Sequence, residues 1–312
     1  MKCLHHKTPL IESLPLSKIL DSPVYLKLEA LQPTGSFKIR GIGRACQIAM
    51  SEGAQALVAS SGGNAGHAVA FSGRHLNLPV TVVVPDTTPL LMQEKLRDEG
   101  ATVIQQGASW DDSHEAAVVL ARKKNAVYIH PFDHPHIWTG HASLIEEIKQ
   151  SSLCPDLIVL AVGGGGLLCG ILEGLYKVGW QDIPICAVET EGAASFARSV
   201  DSGRLVTLER ITSLATCLGA RRVAPKAFDW IKSHPITSLT VSDESAVRAV
   251  LRFSDDHRIL VEPACGAALA PIYEKVELFS NFKKILIVVC GGSGVTQQLI
   301  KKWISQLDLN IS

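Results

Sequence analysis

No apolar run in this sequence approaches the roughly 18–20 residues needed to cross a bilayer. The longest strand-like apolar stretch, Ile285 to Cys290, stops at two glycines. Met1 to Pro9 carry His and Lys but no apolar block, so no signal peptide is expected. The eight cysteines contain no Cys-x-x-Cys pair and most stand in apolar runs. That argues against a zinc cluster and a secreted disulfide scaffold, and reduced thiols in the cytosol are the expectation. Neither sign of charge dominates: Lys+Arg and Asp+Glu both number 30. A chain without net charge has no global field to draw it to nucleic acid or an anionic membrane. Small molecules and a second copy of the chain are the expected partners. Repeats, low-complexity tracts and long linkers are also missing.

The chain has 312 residues, more than one compact core usually holds, so two lobes are expected. Hydrophobic residues at 46% and charged residues at 19% fit a well-packed globular protein. Short strands are predicted at 24–28, 56–59, 80–84, 102–105, 127–129, 157–162, 183–189 and 285–290. Helices are predicted near 38–51, 64–76, 89–99, 111–124, 141–150, 167–177, 243–256, 265–278 and 295–306. Apolar strands rich in Val and Ile suit a parallel sheet covered on both faces, and the alternation implies an α/β architecture. The rhythm changes at Pro131-Phe132-Asp133-His134-Pro135, which reads as a lobe boundary. The stretch 203–242 is the least regular and reads as loops bordering a site.

Four segments carry chemistry. Thr34-Gly35-Ser36-Phe37-Lys38 follows a strand and opens a helix at Ser36 or Phe37. A lysine there opposes the helix dipole, and cationic surroundings would lower its pKa and favour Schiff-base formation. By spacing alone, Lys38 is an exposed lysine at a helix start. Ser60-Ser61-Gly62-Gly63-Asn64-Ala65-Gly66 joins a strand to an Ala-rich helix. Its N–H groups and the Ser61 hydroxyl suit a carboxylate, and it reads equally well as an ordinary turn with an Asn cap. Val162-Gly163-Gly164-Gly165-Gly166-Leu167 joins a strand to a helix, and four consecutive glycines let the backbone approach a phosphate. It is not a P-loop, and with Glu189 at the end of the next strand a dinucleotide site stays open. Cys290-Gly291-Gly292-Ser293-Gly294 ends the last apolar strand, where α/β proteins place ligands. The thiol there reads either as a partner for a ring nitrogen or as a small buried residue.

Taken together, these segments closely resemble the fold-type II pyridoxal-phosphate enzymes, and most nearly their L-serine dehydratase/L-threonine deaminase branch. Lys7-Thr8-Pro9-Leu10, Gly140-His141-Ala142-Ser143 and Glu262-Pro263-Ala264-Cys265-Gly266 also look like that branch, so the likeness spans nearly the whole chain. It implies an α/β fold akin to the tryptophan synthase β subunit, with two lobes, each a mainly parallel sheet flanked by helices. The large lobe would be 1–37 with 138–312, and the small lobe 38–137. It implies a pyridoxal 5'-phosphate cofactor held by Lys38 as a Schiff base, with Lys38 also the base at Cα of the substrate. Phe37 would stack on the ring, Asn64 would bond its phenolic oxygen, and Cys290 would face its nitrogen. Gly163, Gly164, Gly165, Gly166 and Leu167 would grip the phosphate. Ser61, Gly62, Asn64 and Ala65 would hold the substrate carboxylate. A monovalent cation, usually potassium, would be bound by Glu189, Ser195 and the carbonyls of Gly163, Ala193, Leu218 and Ala220. Taken alone, Glu189 reads equally as a surface acid at a strand end.

The activity so implied is β-elimination of serine or threonine to a 2-oxo acid and ammonia, in a cytoplasmic homodimer. The sequence departs from the family pattern at two places. Racemases of this fold carry a serine base where Gly62 stands, so racemisation is disfavoured. Dehydratases often carry alanine there, so Gly62 is expected to loosen the pocket. Cys217 stands where relatives place a small residue against the ring, and a reactive, oxidation-sensitive thiol is expected. The alternatives are β-replacement, as in cysteine or cystathionine synthesis, a serine racemase-like enzyme, and a catalytically silent binding protein on the same fold. The β-replacement relatives show a Thr-Ser-Gly-Asn-Thr-Gly-like loop, which this chain lacks. The chain ends soon after its last helix, so no effector domain and no feedback inhibition by isoleucine are expected.

Overall fold

A computed structural model describes residues 2–310. Met1, Ile311 and Ser312, the outermost residues of the expected large lobe, lie outside them. In chain order the elements are β1 (Leu10–Glu12), α1 (Leu14–Leu20), β2 (Val24–Leu28), α2 (Lys38–Ser51), β3 (Leu57–Ala59), α3 (Asn64–Leu76), β4 (Val80–Val84) and α4 (Leu90–Asp98). Then come β5 (Thr102–Gln105), α5 (Trp110–Lys123), β6 (Val127–Tyr128), α6 (Pro135–Gln150), β7 (Leu157–Ala161), α7 (Gly166–Lys177) and β8 (Ile185–Thr190). The chain closes with α8 (Ser195–Ser202), α9 (Pro225–Asp229), β9 (Ile236–Val241), α10 (Asp243–His257), α11 (Pro263–Tyr273), β10 (Ile285–Val289) and α12 (Gln297–Gln306).

The strands form two sheets. One has six strands in the order β1-β2-β10-β7-β8-β9, the other four in the order β5-β4-β3-β6. Every pairing is parallel except β1 with β2. All residues of β7, β8 and β10 are buried, as strands covered by helices on both faces require. The four-stranded sheet has one core against α2 and α3, including Ile39, Ile42, Leu57, Val82 and Val84. A smaller cluster on its other face sets Val58 and Val83 against Ala117 and Ala121 of α5. The six-stranded sheet carries the largest core.

Helix α6 starts six residues before the predicted 141 and runs through both cores. Ile137 packs with the four-stranded sheet, while Leu144, Ile145 and Ile148 pack with the six-stranded one. The predicted start at 141 missed that Pro135 is a favoured first-turn residue, here behind His134 at the N-cap. The irregular stretch 203–242 contains α9 and the edge strand β9, whose half-exposed residues hide the alternation that marks a strand.

Candidate active site

Three turns converge at the carboxyl ends of parallel strands, where this architecture opens a crevice. They follow β3, β7 and β10. The start of α2 is stitched to the third. Phe37 N–H donates to Cys290 O at 3.2 Å, Gly292 N–H donates to Gly35 O at 2.8 Å, and Ser36 forms a β-bridge with Gly291. Helix α2 therefore begins at Lys38, as the predicted span 38–51 has it and one or two residues after the motif's opening at Ser36 or Phe37, with Phe37 at its N-cap. A cavity of about 160 Å³ lies where the turns meet.

That cavity brings together most of the sequence-predicted residues. Phe37, Lys38 and Cys290 line it from one side, Ser61, Asn64 and Ala65 from another, and Gly163 to Leu167 from a third. Cys217, Leu218 and Ala220 complete the wall. Gly62 does not reach it. Gly62 faces a second, outer cavity of about 840 Å³, which Ser61, Gly63 and Cys217 also border. Glu189, Ala193 and Ser195 are fully buried outside the lining.

The Lys38 amine donates to Pro131 O at 2.9 Å and stands 5.2 Å from the Phe37 ring centroid. Enclosure by the protein lowers its pKa to about 8, while Cys217 and Cys290 act in the opposite direction. The lowering was expected from cationic surroundings; desolvation supplies it instead. The neighbouring Cys265 thiol, together with burial, pushes the Cys290 thiol well above its ordinary range and holds it protonated. Cys217 is open to the cavity space yet walled in by the cleft. That enclosure, followed by the charge of Glu262, pushes its thiol well above the ordinary range. The expectation of a reactive thiol is thus reversed, because a thiolate beside a carboxylate in low dielectric is disfavoured.

Asn64 opens α3 and bridges two turns. Its Nδ2 donates to Glu262 Oε2 at 3.0 Å, and its Oδ1 accepts from Ser293 N at 2.7 Å and Ser293 Oγ at 2.8 Å. Glu262 also accepts from Gly294 N at 2.9 Å. Sequence reasoning did not single out Glu262 or Ser293 as site residues, since nothing in their spacing ties them to Asn64. It also missed a half-buried chain behind Ser61. Ser60 Oγ lies 2.6 Å from Tyr128 Oη, which lies 2.7 Å from His114 Nδ1. His114 stacks on Trp110, a residue that lines both cavities. Burial lowers the neighbouring His130 to about 3, so its ring is neutral there.

The turn after β7 admits nothing but backbone. Gly165 sits at φ +84°, and a Cβ on Gly164 would stand 2.3 Å from the Phe132 ring. No side chain caps α7, and the N–H groups of Gly165, Gly166 and Leu167 meet no acceptor among the described residues. Free N–H groups at the positive end of a 12-residue helix form an anion site. Below it, Glu189 accepts from Phe196 N at 2.9 Å and Ala197 N at 2.7 Å. Burial nevertheless raises its carboxyl to about 8, and the Ser195 hydroxyl, six residues further on, has no partner among the described residues. Glu189 is therefore a wholly buried acid, which removes its reading as a surface residue.

An anion cradle, a desolvated lysine and a protonated thiol in one cleft define an enzyme that uses an aldehyde-bearing phosphate cofactor. The chain belongs to the pyridoxal-phosphate dependent enzyme family, whose description matches residues 3–291. Within it, the chain is 47% identical to the L-serine dehydratase/L-threonine deaminase of Mus musculus, covering 98% of this chain and 97% of that protein. It is 48% identical to a serine dehydratase-like protein of Mus musculus, covering 97% and 95%. Its fold matches that of a fungal L-serine ammonia-lyase from Rhizomucor miehei with a TM-score of 0.93 and 34% identity, covering 98% and 99%. This is the fold-type II architecture expected from the sequence.

Proposed function

We propose that this chain is an L-serine/L-threonine ammonia-lyase that forms pyruvate or 2-oxobutanoate and ammonia by β-elimination. One observation carries the reading. The cavity offers the Lys38 amine as its basic side chain, and the loop position where a second base would stand is Gly62, which has no side chain. Proton transfer at Cα from one face alone suits elimination rather than inversion. Bound pyridoxal phosphate supplies the electron sink for the charge left at Cα. Lys38 holds the cofactor through its amine and moves the Cα proton. Phe37 and Cys217 would pack against the ring, Asn64, its amide oriented by Glu262, would bond the phenolic oxygen, and the Cys290 thiol would serve the ring nitrogen as a neutral partner.

Gly163, Gly164, Gly165, Gly166 and Leu167 give the phosphate its backbone donors. Ser61, Gly62, Asn64 and Ala65 hold the substrate carboxylate. The Cα proton taken by Lys38 and the Cβ hydroxide leave, in balance, as one water, and the released enamine takes up one water to give the 2-oxo acid and ammonia. Potassium binds beneath the site through Glu189, Ser195 and the carbonyls of Gly163, Ala193, Leu218 and Ala220. The large lobe comprises 1–37 and 138–312, the small lobe 38–137, and the enzyme works as a cytoplasmic homodimer. The deciding experiment incubates the holoenzyme with L-serine, with and without an added thiol, in potassium and in sodium. Pyruvate formed without thiol, faster in potassium, is expected, together with an absorbance band near ~410–420 nm that Lys38→Ala abolishes. Product formed only with thiol would show β-replacement, and a colourless protein would show a silent one.

A further inference from the structure

Gly62 is a glycine for want of space rather than for backbone conformation. Its φ lies outside the left-handed region, yet a Cβ built on it would stand 2.5 Å from Thr88 Cγ2, 2.7 Å from Thr88 Oγ1 and 3.2 Å from Thr88 Cβ. The expected looseness at Gly62 is therefore absent, because Thr88 fills it. Turning the Thr88 side chain does not relieve the contact. Two of the three staggered positions on its Cβ face Gly62, and a threonine places heavy atoms in two of three, so every rotamer leaves at least one there.

The backbone of Thr88 is fixed as well. It lies in the β4–α4 connection between Pro85 and Pro89. Its N–H donates to Pro85 O at 3.0 Å, and its carbonyl accepts from the buried Gln93 Nε2 at 3.0 Å. Ser61 and Gly63 border both cavities, while Gly62 and Thr88 border the outer one. Across that outer space stand Leu214, Ala215 and Thr216, from the unit built on the six-stranded sheet. Thr88 thus stands in the wall of the outer cavity of about 840 Å³, packed on the loop that takes the carboxylate, whose Ser61 and Gly63 also border the inner cavity of about 160 Å³.

Resting on the ammonia-lyase reading, we propose that Thr88 is a specificity-determining residue. Its packed side chain limits the size of the β-substituent that a β-hydroxy amino acid carries while its carboxylate lies on the 61–65 loop. Serine is admitted ahead of threonine on this account. Removing the Thr88 methyl in Thr88→Ser raises the ratio of kcat/KM for L-threonine over L-serine by about tenfold, the usual scale for one methyl group in a pocket. Thr88→Val, which keeps the volume and drops the hydroxyl, leaves that ratio within about twofold. A second measurement needs no turnover. Gly62→Ala lowers the melting temperature of the cofactor-free protein, and Gly62→Ala with Thr88→Ala restores it.

An unchanged ratio in Thr88→Ser, a shift in Thr88→Val equal to that in Thr88→Ser, or a Gly62→Ala protein that melts like the parent would each overturn the proposal. If the parent holoenzyme makes no 2-oxo acid, the ammonia-lyase reading fails by itself. Spectral titration with L-serine and L-threonine then reads the same ratio as binding, and the melting cycle still tests the contact.

Discussion

The Lys38 amine is enclosed by protein and reaches one carbonyl, Pro131 O, at 2.9 Å. A cation so placed has lost most of its hydration and found no carboxylate to replace it, so its neutral form gains. The neutral form is also the nucleophile that an aldehyde cofactor needs. With its pKa lowered to about 8, the neutral fraction rises with pH through that value and levels above it. Capture of pyridoxal phosphate by the cofactor-free protein is therefore expected to speed up about tenfold per pH unit below the inflection and to plateau beyond it. Stopped-flow absorbance against pH measures this. An inflection near 10.5, the value of an unperturbed lysine, would show that the enclosure does not act on the amine.

At the scale of elements, the turn between β7 and α7 works because it has no side chains. In Gly164→Ala, the new Cβ would overlap the ring of Phe132. That ring cannot easily yield, since Phe132 O accepts from Trp138 Nε1 at 2.8 Å and the ring packs edge-on against His130 at 4.7 Å. Overpacking of this kind costs about 1–3 kcal/mol. Gly164→Ala should lower stability by that amount and weaken cofactor binding more, since the cradle itself moves; denaturant unfolding and cofactor titration separate the two. This turn was legible in the sequence, as were β2, β4, β5, α2 and α3, because glycine runs and apolar periodicity are local signals. The short β1 and α1 were overlooked, although Ser13 accepts from Leu16 N at 3.4 Å as an N-cap and Pro15 follows in the first turn. The pairing of Asn64 with Glu262 and Ser293, and of Gly62 with Thr88, joins residues distant along the chain, and no spacing rule reaches that far.

Two sheets with separate cores need a joint that keeps Lys38 in register with the turns of the six-stranded sheet, and Arg40 supplies much of it. Arg40 lies on α2 two residues beyond Lys38 and is fully buried. Its Nε donates to Glu29 Oε2 at 2.6 Å and its Nη2 to Glu29 Oε1 at 2.9 Å, just past β2. The same guanidinium reaches Glu147 of α6 at 2.7 and 2.8 Å, and Lys27 Nζ meets Glu147 at 2.6 Å. Two cations thus balance two carboxylates. Burial alone would depress Arg40, but Glu29 and Glu147 outweigh it and hold the guanidinium charged. Such a cluster need not stabilise relative to an apolar one, yet removing one member leaves an uncompensated buried charge that costs about 3–5 kcal/mol. Arg40→Met is expected to lose stability on that scale, read by denaturant unfolding of the cofactor-free protein. Replacing Arg40, Lys27, Glu29 and Glu147 together by apolar residues of like volume should recover part of the loss, since no buried charge is then left without its partner. If Arg40→Met alone unfolds like the parent, the joint rests on the α2–α6 packing and not on this charge network.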